Sequence, residues 1–299
     1  MHIRIARVFQ HCLFLLLLLA AGCSANLPRA DFEGEKNGLL WQISQQGKPL
    51  GYLFGTIHSE DERVIKLPEP VNFAFETSTI FALEMELDKA ATQSVLRNMY
   101  FQNGQNLKQV INLNLYQRAI SAMADKGIPE DIVQQMKPWA VFSILNMPKQ
   151  RTGKYLDAVL YQSAIEKQKN IVGLESFQEQ IAVFDEMSLE IQIKLLSSTL
   201  DNLQDMDKML DETINVYLSR DLNQIMALSD KYNAMLDKDV GEIFVQRLLL
   251  DRNHRMYQRM LPLLSSGNVF VAVGALHLPG DEGLLNLLKQ NGFKVKALY

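Results

Sequence analysis

Between Gly173 and Gly241 the chain runs for 67 residues, 174–240, without a Gly or Pro. Those two residues are the strongest interrupters of regular structure, so this block is expected to hold long, regular elements. Within it Leu196, Leu200, Leu203, Leu210, Ile214 and Tyr217 recur at three-, four- and seven-residue steps. A strand, with its period of two, cannot put that set on one face, whereas a helix can. The spacing therefore predicts an amphipathic helix stripe through the middle of the chain. Ser188 offers only a weak start signal. Residues 92–147 read as shorter helices, broken at Gly127-Ile-Pro129 and at Pro138.

The flanks of this block are patterned differently. Leu39–Ile43 and Tyr52–Ile57 are short runs with β-branched or aromatic residues, and Gly47 between them marks a hairpin turn. Thr79–Leu87 predicts a third strand. Asn170–Leu174 predicts a fourth, following a helix over Tyr155–Lys167. The end of the chain alternates again: helix Val245–Leu264, strand Asn268–Val273, helix Gly283–Asn291 and a last strand Phe293–Leu298. Strands alternating with helices predict an α/β fold.

At the N-terminus Arg4 and Arg7 precede an apolar run over residues 12–21. It is shorter than the roughly 20 residues that a bilayer span needs, and it has the length of a secretory signal core. Leu19-Ala20-Ala21-Gly22-Cys23 resembles a bacterial lipobox, with Ala20 where Leu is commoner. The expectation is a lipoprotein signal peptide over 1–22, lipidation at Cys23 and a polar tether over 23–38. Acyl chains hold a protein on a membrane without a spanning helix. Ser24, in place of Asp, leans towards the outer membrane, so the expected location is that of an exported lipoprotein on the periplasmic side. Cys12 and Cys23 are the only cysteines, so the domain that follows must stabilise itself by packing. With Arg4 and Arg7 removed, 28 basic residues face 34 acidic ones, a net charge of −6. Nucleic acid is not expected as a partner, because phosphate binding relies on clustered Lys and Arg.

Three histidines lie beyond the signal: His58, His254 and His277. Two occupy matching contexts. Gly55–His58 ends one predicted strand, and Gly274–His277 follows another. In each, Gly lets the backbone turn or be closely approached where the strand gives out. Glu84 stands towards the end of the third strand, and Glu175 directly follows the fourth. If these strands are parallel neighbours, His58, Glu84, Glu175 and His277 converge where α/β sheets bind ligands. Two imidazoles and a carboxylate suit a divalent metal with an open position for water. A second carboxylate, from Glu84, Glu86 or Glu175, could act as base or orienter. Arg252, on the helix before the second motif, could stabilise an oxyanion. The plainer alternatives are a surface carboxylate at Glu84 or Glu86, a helix cap at Glu175 and a simple ion pair at Arg252. His-Glu-x-x-His, Gly-x-Ser-x-Gly, Gly-x-Gly-x-x-Gly and Cys-x-x-Cys are all absent, which disfavours serine hydrolase, nucleotide-binding and redox-disulfide readings.

Taken in order, these segments resemble the TraB/GumN (TraB/PrgY/GumN) family, which is related to the TIKI metalloproteases. The matching segments are Leu53–His58, Ala82-Leu-Glu84, Lys137-Pro-Trp139-Ala and Tyr155-Leu-Asp157. They continue with Gly173-Leu-Glu175 through Gln180, Arg252-Asn253 and Val273–His277. The resemblance covers residues 39–298 and implies an erythromycin esterase/ChaN-like fold. That fold is a central mixed sheet with flanking helices and a large helical insertion, here about 88–262 within a domain of 39–299.

It also implies His58, Glu84 and His277 as ligands of a divalent ion (Mn, Co or Zn) and Arg252 as transition-state stabiliser. Glu175 follows as base or site wall, with Asp157, Asn253, Gly55 and Gly274 in support. Arg220 stands where the family more often has Gly. The expected function is a metal-dependent hydrolase acting on peptide bonds. The alternative is a binding protein that sequesters a peptide or other small-molecule ligand in the same place. Oligomeric state is left open.

Overall fold

The computed structural model describes residues 37–86, 97–148 and 152–299. The expected signal peptide, Cys23 and the tether up to residue 36 lie outside the described residues, as does Leu87 at the expected end of the third strand.

Six strands form one sheet. β1 (Leu40–Gln45) and β2 (Lys48–Thr56) are joined by Gln46 and Gly47, with φ of 52° and 78°. Two successive positive φ values are what the tightest hairpin turn requires. β3 (Ile80–Met85), β4 (Asn170–Glu175), β5 (Val269–Gly274) and β6 (Lys294–Ala297) complete the sheet in the order β4-β3-β5-β2-β1-β6. The strands β4, β3, β5 and β2 run parallel, whereas β1 is antiparallel to β2 and β6. The sheet is thus mixed, as expected. Strands β3 and β5 are buried on both faces, which explains their nearly unbroken apolar sequences.

The core has two parts. One packs on the sheet through Trp41, Phe54, Phe75, Phe81 and Phe270, with the Phe75 and Phe270 rings edge to face at 5.4 Å. The other lies among helices around Trp139, Phe142, Phe184, Leu196 and Phe244. The third strand contributes Leu83 to the first and Met85 to the second.

Two helical expectations change. The apolar stripe lies on two helices, Leu189–Asp201 and Met206–Ser219, separated by a short 3-10 turn at Leu203–Asp205. Leu196 and Leu200 face the helical core, while Ile214 and Tyr217 face the sheet core. The bend needs neither Gly nor Pro. Asn202 makes it, bonding its side-chain amide back to the Ser198 carbonyl at 2.9 Å, so spacing alone did not reveal it. Ser188 proves to be a true N-cap, its hydroxyl accepting the Ile191 N–H. The expected single helix Val245–Leu264 is a longer assembly: Lys238–Val245, a π-helical stretch Gln246–Leu250, then Asp251–Ser266.

Arg220 takes a left-handed φ of 61° at the end of Met206–Ser219, a conformation that favours Gly. Its guanidinium lies 4.5 Å from the Tyr299 ring centroid, and its carbonyl accepts the Gly38 N–H.

Register brings the carboxyl ends of four parallel strands level: Thr56 pairs with Gly274, Leu83 with Ala272 and Met85 with Glu175. The approach of β2 to β5 depends on Gly51, where an added Cβ would lie 2.3 Å from the Val269 carbonyl oxygen. Gly51→Ala should therefore cost about 1–3 kcal/mol, the usual range for overpacking. Gly47→Ala, which meets no neighbour within 4 Å, carries only its backbone cost of about 1 kcal/mol. Urea unfolding of the two variants checks this; equal losses would contradict it.

Candidate functional site

Sequence spacing delivers the site from strand ends and one helix. Glu84 lies on β3, and its carboxylate is buried between two donors. Oε1 accepts the Gly274 N–H at 2.7 Å, and Oε2 accepts Arg252 Nη2 at 2.6 Å. Glu175 closes β4, and both its oxygens are engaged. Oε2 accepts Arg252 Nε at 2.9 Å, Arg252 Nη2 at 2.6 Å and Gln180 Nε2 at 3.2 Å, while Oε1 accepts Arg255 Nη1 at 2.9 Å. Arg252 also donates through Nη1 to the Leu248 carbonyl inside the π-helical stretch. Burial works against its charge, but the two carboxylates more than offset that, and its pKa lies above the ordinary guanidinium value.

The neighbouring residue, Asn253, orients His277. Its Nδ2 donates to the Glu282 carbonyl at 2.8 Å, which turns Oδ1 towards the imidazole. His277 Nδ1 stands 2.6 Å from that oxygen and is therefore the protonated nitrogen. Nε2 then carries a lone pair. It makes no hydrogen bond among the described residues and lies 3.6 Å from Glu84 Oε1. His277 is fully buried, and its pKa sits well below the usual imidazole value. Burial is the main cause, reinforced by Arg252 and opposed by Glu175. The neutral tautomer is thus enforced by both packing and electrostatics.

His58 faces a carboxylate of its own. Its Nδ1 is 3.5 Å from Asp157 Oδ2, and its ring stacks on Tyr155 at 4.2 Å. Asp157 Oδ1 accepts the Thr56 hydroxyl at 2.7 Å, so the residue next to Gly55 helps seat the carboxylate that faces His58. Tyr217 donates its hydroxyl to the Gly55 carbonyl at 2.9 Å. Burial, with help from Asp157 and Tyr299, keeps that phenol protonated. At Gly55 a Cβ would sit 3.0 Å from Ala275 Cα, so the first glycine of one motif packs on the second motif.

The structure thus brings together His277, Asn253, Glu84, Gly274, Arg252 and Glu175, and it sets Asp157 against His58. His254 pairs with Glu282 at the surface. Sequence reasoning missed Thr56, Tyr217, Arg255 and Arg259. The two arginines had a readable signal, since positions 252, 255 and 259 share one helix face.

A divalent ion needs several donors converging on one point. His277 Nε2 approaches Glu84 Oε1 at 3.6 Å and His58 Nδ1 approaches Asp157 Oδ2 at 3.5 Å, one imidazole and one carboxylate in each case. Among the described residues no three His, Cys, Asp or Glu side chains are gathered closely enough to hold a metal ion. The donor set as placed does not fit a bound ion.

The fold and this site define an α/β protein with a buried His–carboxylate–guanidinium constellation at the carboxyl edge of a parallel sheet segment. The model of the TraB/PrgY/gumN family matches residues 39–297, and the chain belongs to that family. It is similar to metalloprotease TIKI1 of Xenopus tropicalis, at 27% identity over 94% of this chain and 66% of that protein. A metalloprotease TIKI homolog of Amphimedon queenslandica is 23% identical, covering 100% of this chain and 69% of its own length. The uncharacterized protein YbaP of Shigella flexneri is 22% identical over 83% of this chain and 90% of that protein. The chain thus spans about two thirds of the length of the TIKI relatives. No solved structure matches it.

Behind Glu175, Ser176 and Glu179 form a capping box on the helix Phe177–Asp185, and Arg259 grips Glu179 through two bonds of 2.7 Å. The Arg259 hydrogen bond, with those from Ser176, holds the Glu179 pKa down at about 2. A depressed carboxylate pKa contributes stability that is present above its unfolded value and is lost as pH falls towards the folded one. Stability should therefore decline between about pH 4.5 and pH 2, and less steeply in Glu179→Gln. Denaturant unfolding across that window checks it; identical slopes in the two proteins would contradict it.

Proposed function

We propose that this protein is a hydrolase that cleaves a peptide or related acyl bond at the carboxyl edge of the parallel strands. The observation that carries this reading is His277: neutral, fixed as the Nδ1–H tautomer, with Nε2 bare and 3.6 Å from a carboxylate. A water against Nε2 loses a proton to it while attacking a carbonyl carbon. Glu84 then steadies the imidazolium, and Arg252 supplies positive potential for the developing oxyanion; the tetrahedral adduct collapses as the acyl bond breaks and the imidazolium gives its proton to the leaving group. Glu175, with both oxygens engaged by arginines, holds those arginines in place. Relatives bearing the name metalloprotease support peptide bonds as the substrate class. The relatives' names favour a metal-dependent form of this reading; the choice of Mn, Co or Zn and of His58, Glu84 and His277 as ligands is a proposal from the sequence resemblance, and no step here runs through an ion. We also propose that the protein works on the periplasmic side of a bacterial membrane, held there through Cys23.

Turnover of a peptide library by the full chain tests the reading. His277→Ala should lower the rate by at least about 100-fold, the ordinary contribution of a general base, with unchanged circular dichroism. A folded variant that keeps the wild-type rate would sink it. A wild type that binds peptide without turnover would favour the sequestering protein.

A further inference from the structure

We propose that Arg252 is the resident cation of this site, so that a divalent ion binds Glu84 and His277 only by displacing its guanidinium. The proposal concerns the site in which hydrolysis was placed above, but it does not depend on turnover.

Three observations carry it. First, all four oxygens of the two carboxylates already accept N–H groups. Glu84 takes Gly274 and Arg252, and Glu175 takes Arg252, Gln180 and Arg255. A metal held at about 2.0–2.2 Å from a carboxylate oxygen would compete directly with these donors. Second, the charges already balance. Two buried carboxylates face the guanidinium groups of Arg252 and Arg255. Adding a divalent cation without removing one of these would leave excess positive charge in a buried place, which is costly. Third, Arg252 is locked from behind. Its Nη1 donates to Leu248, and the turn that presents it follows directly on the π-helical stretch. His277 Nε2 and Glu84 Oε1 stand 3.6 Å apart, but Oε1 already accepts the Gly274 N–H and the guanidinium occupies the second oxygen of Glu84.

The test is titration of the full chain with Mn²⁺, Co²⁺ and Zn²⁺ separately, followed by calorimetry and by elemental analysis after buffer exchange. The expected result is no stoichiometric ion in wild type that is lost on His277→Ala. Arg252→Ala should then gain at least about tenfold in affinity for one of the three ions, and the additional change His277→Ala should remove that gain. One tightly held ion in wild type that disappears in folded His277→Ala overturns the proposal. So does a folded Arg252→Ala that gains no affinity. Should Arg252→Ala fail to fold, the wild-type titration alone decides. These readouts are independent of turnover. A wild type that cleaves nothing leaves this proposal intact, and an ion found in wild type leaves the hydrolase reading intact.

Discussion

The placement of one buried guanidinium between two buried carboxylates organises this molecule. Glu84 rises from β3, Glu175 ends β4, and Arg252 reaches both from the helix Asp251–Ser266 at 2.6 Å. Each of these charges is expensive to bury alone, by several kcal/mol, and becomes tolerable only when paired and fully hydrogen-bonded. The pairing therefore holds only if the helix sits at one rotation and one height against the two strand ends. Arg255 and Arg259 repeat the grip one and two turns on, at Glu175 and Glu179. A helix that slid or turned would strand several charges together.

From that anchor the imidazole geometry follows. Asn253 is adjacent to Arg252, so the rotation that points one residue at the carboxylates points the next at His277 and the Glu282 carbonyl. Glu84 is tied in turn to the Gly274 N–H, at the start of the second Gly-x-x-His segment. Strand register does the rest. The pairing of Thr56 with Gly274 brings both motifs off neighbouring strands at one level, and Tyr217 and Thr56 secure the first motif from below. A residue ladder and a buried ion pair thus together produce a neutral histidine with an available lone pair. Chemically, that is a base or a ligand.

Much of this was legible in the residues. The strands were found within a few positions because parallel, doubly buried strands such as β5 read as apolar runs bounded by Gly and Asn. The nearness of Glu84, Glu175 and His277 at one edge followed from where those runs stop. The pairing of His58 with Asp157 was not legible. Nothing in the spacing of Asp157 shows that it faces His58 and receives Thr56, because those contacts cross about a hundred residues of chain. Nor could sequence show that Arg252 fills both carboxylates. A lone Arg on a helix reads the same whether it points at solvent, at a substrate or at two buried glutamates. The bend at Asn202 escaped for a simpler reason: a side-chain amide bonded to its own helix leaves no Gly or Pro as a mark.

The measurement that bears most directly on this account is a double-mutant cycle between Glu84→Gln and Arg252→Met, read by urea unfolding. If the buried ion triad is the constraint on which the rest depends, the two changes are strongly coupled, with an interaction free energy above about 1 kcal/mol. Each single change should be costly because it leaves a charge without its partner. Effects that add to within about 0.5 kcal/mol would show two independent residues and would contradict the account.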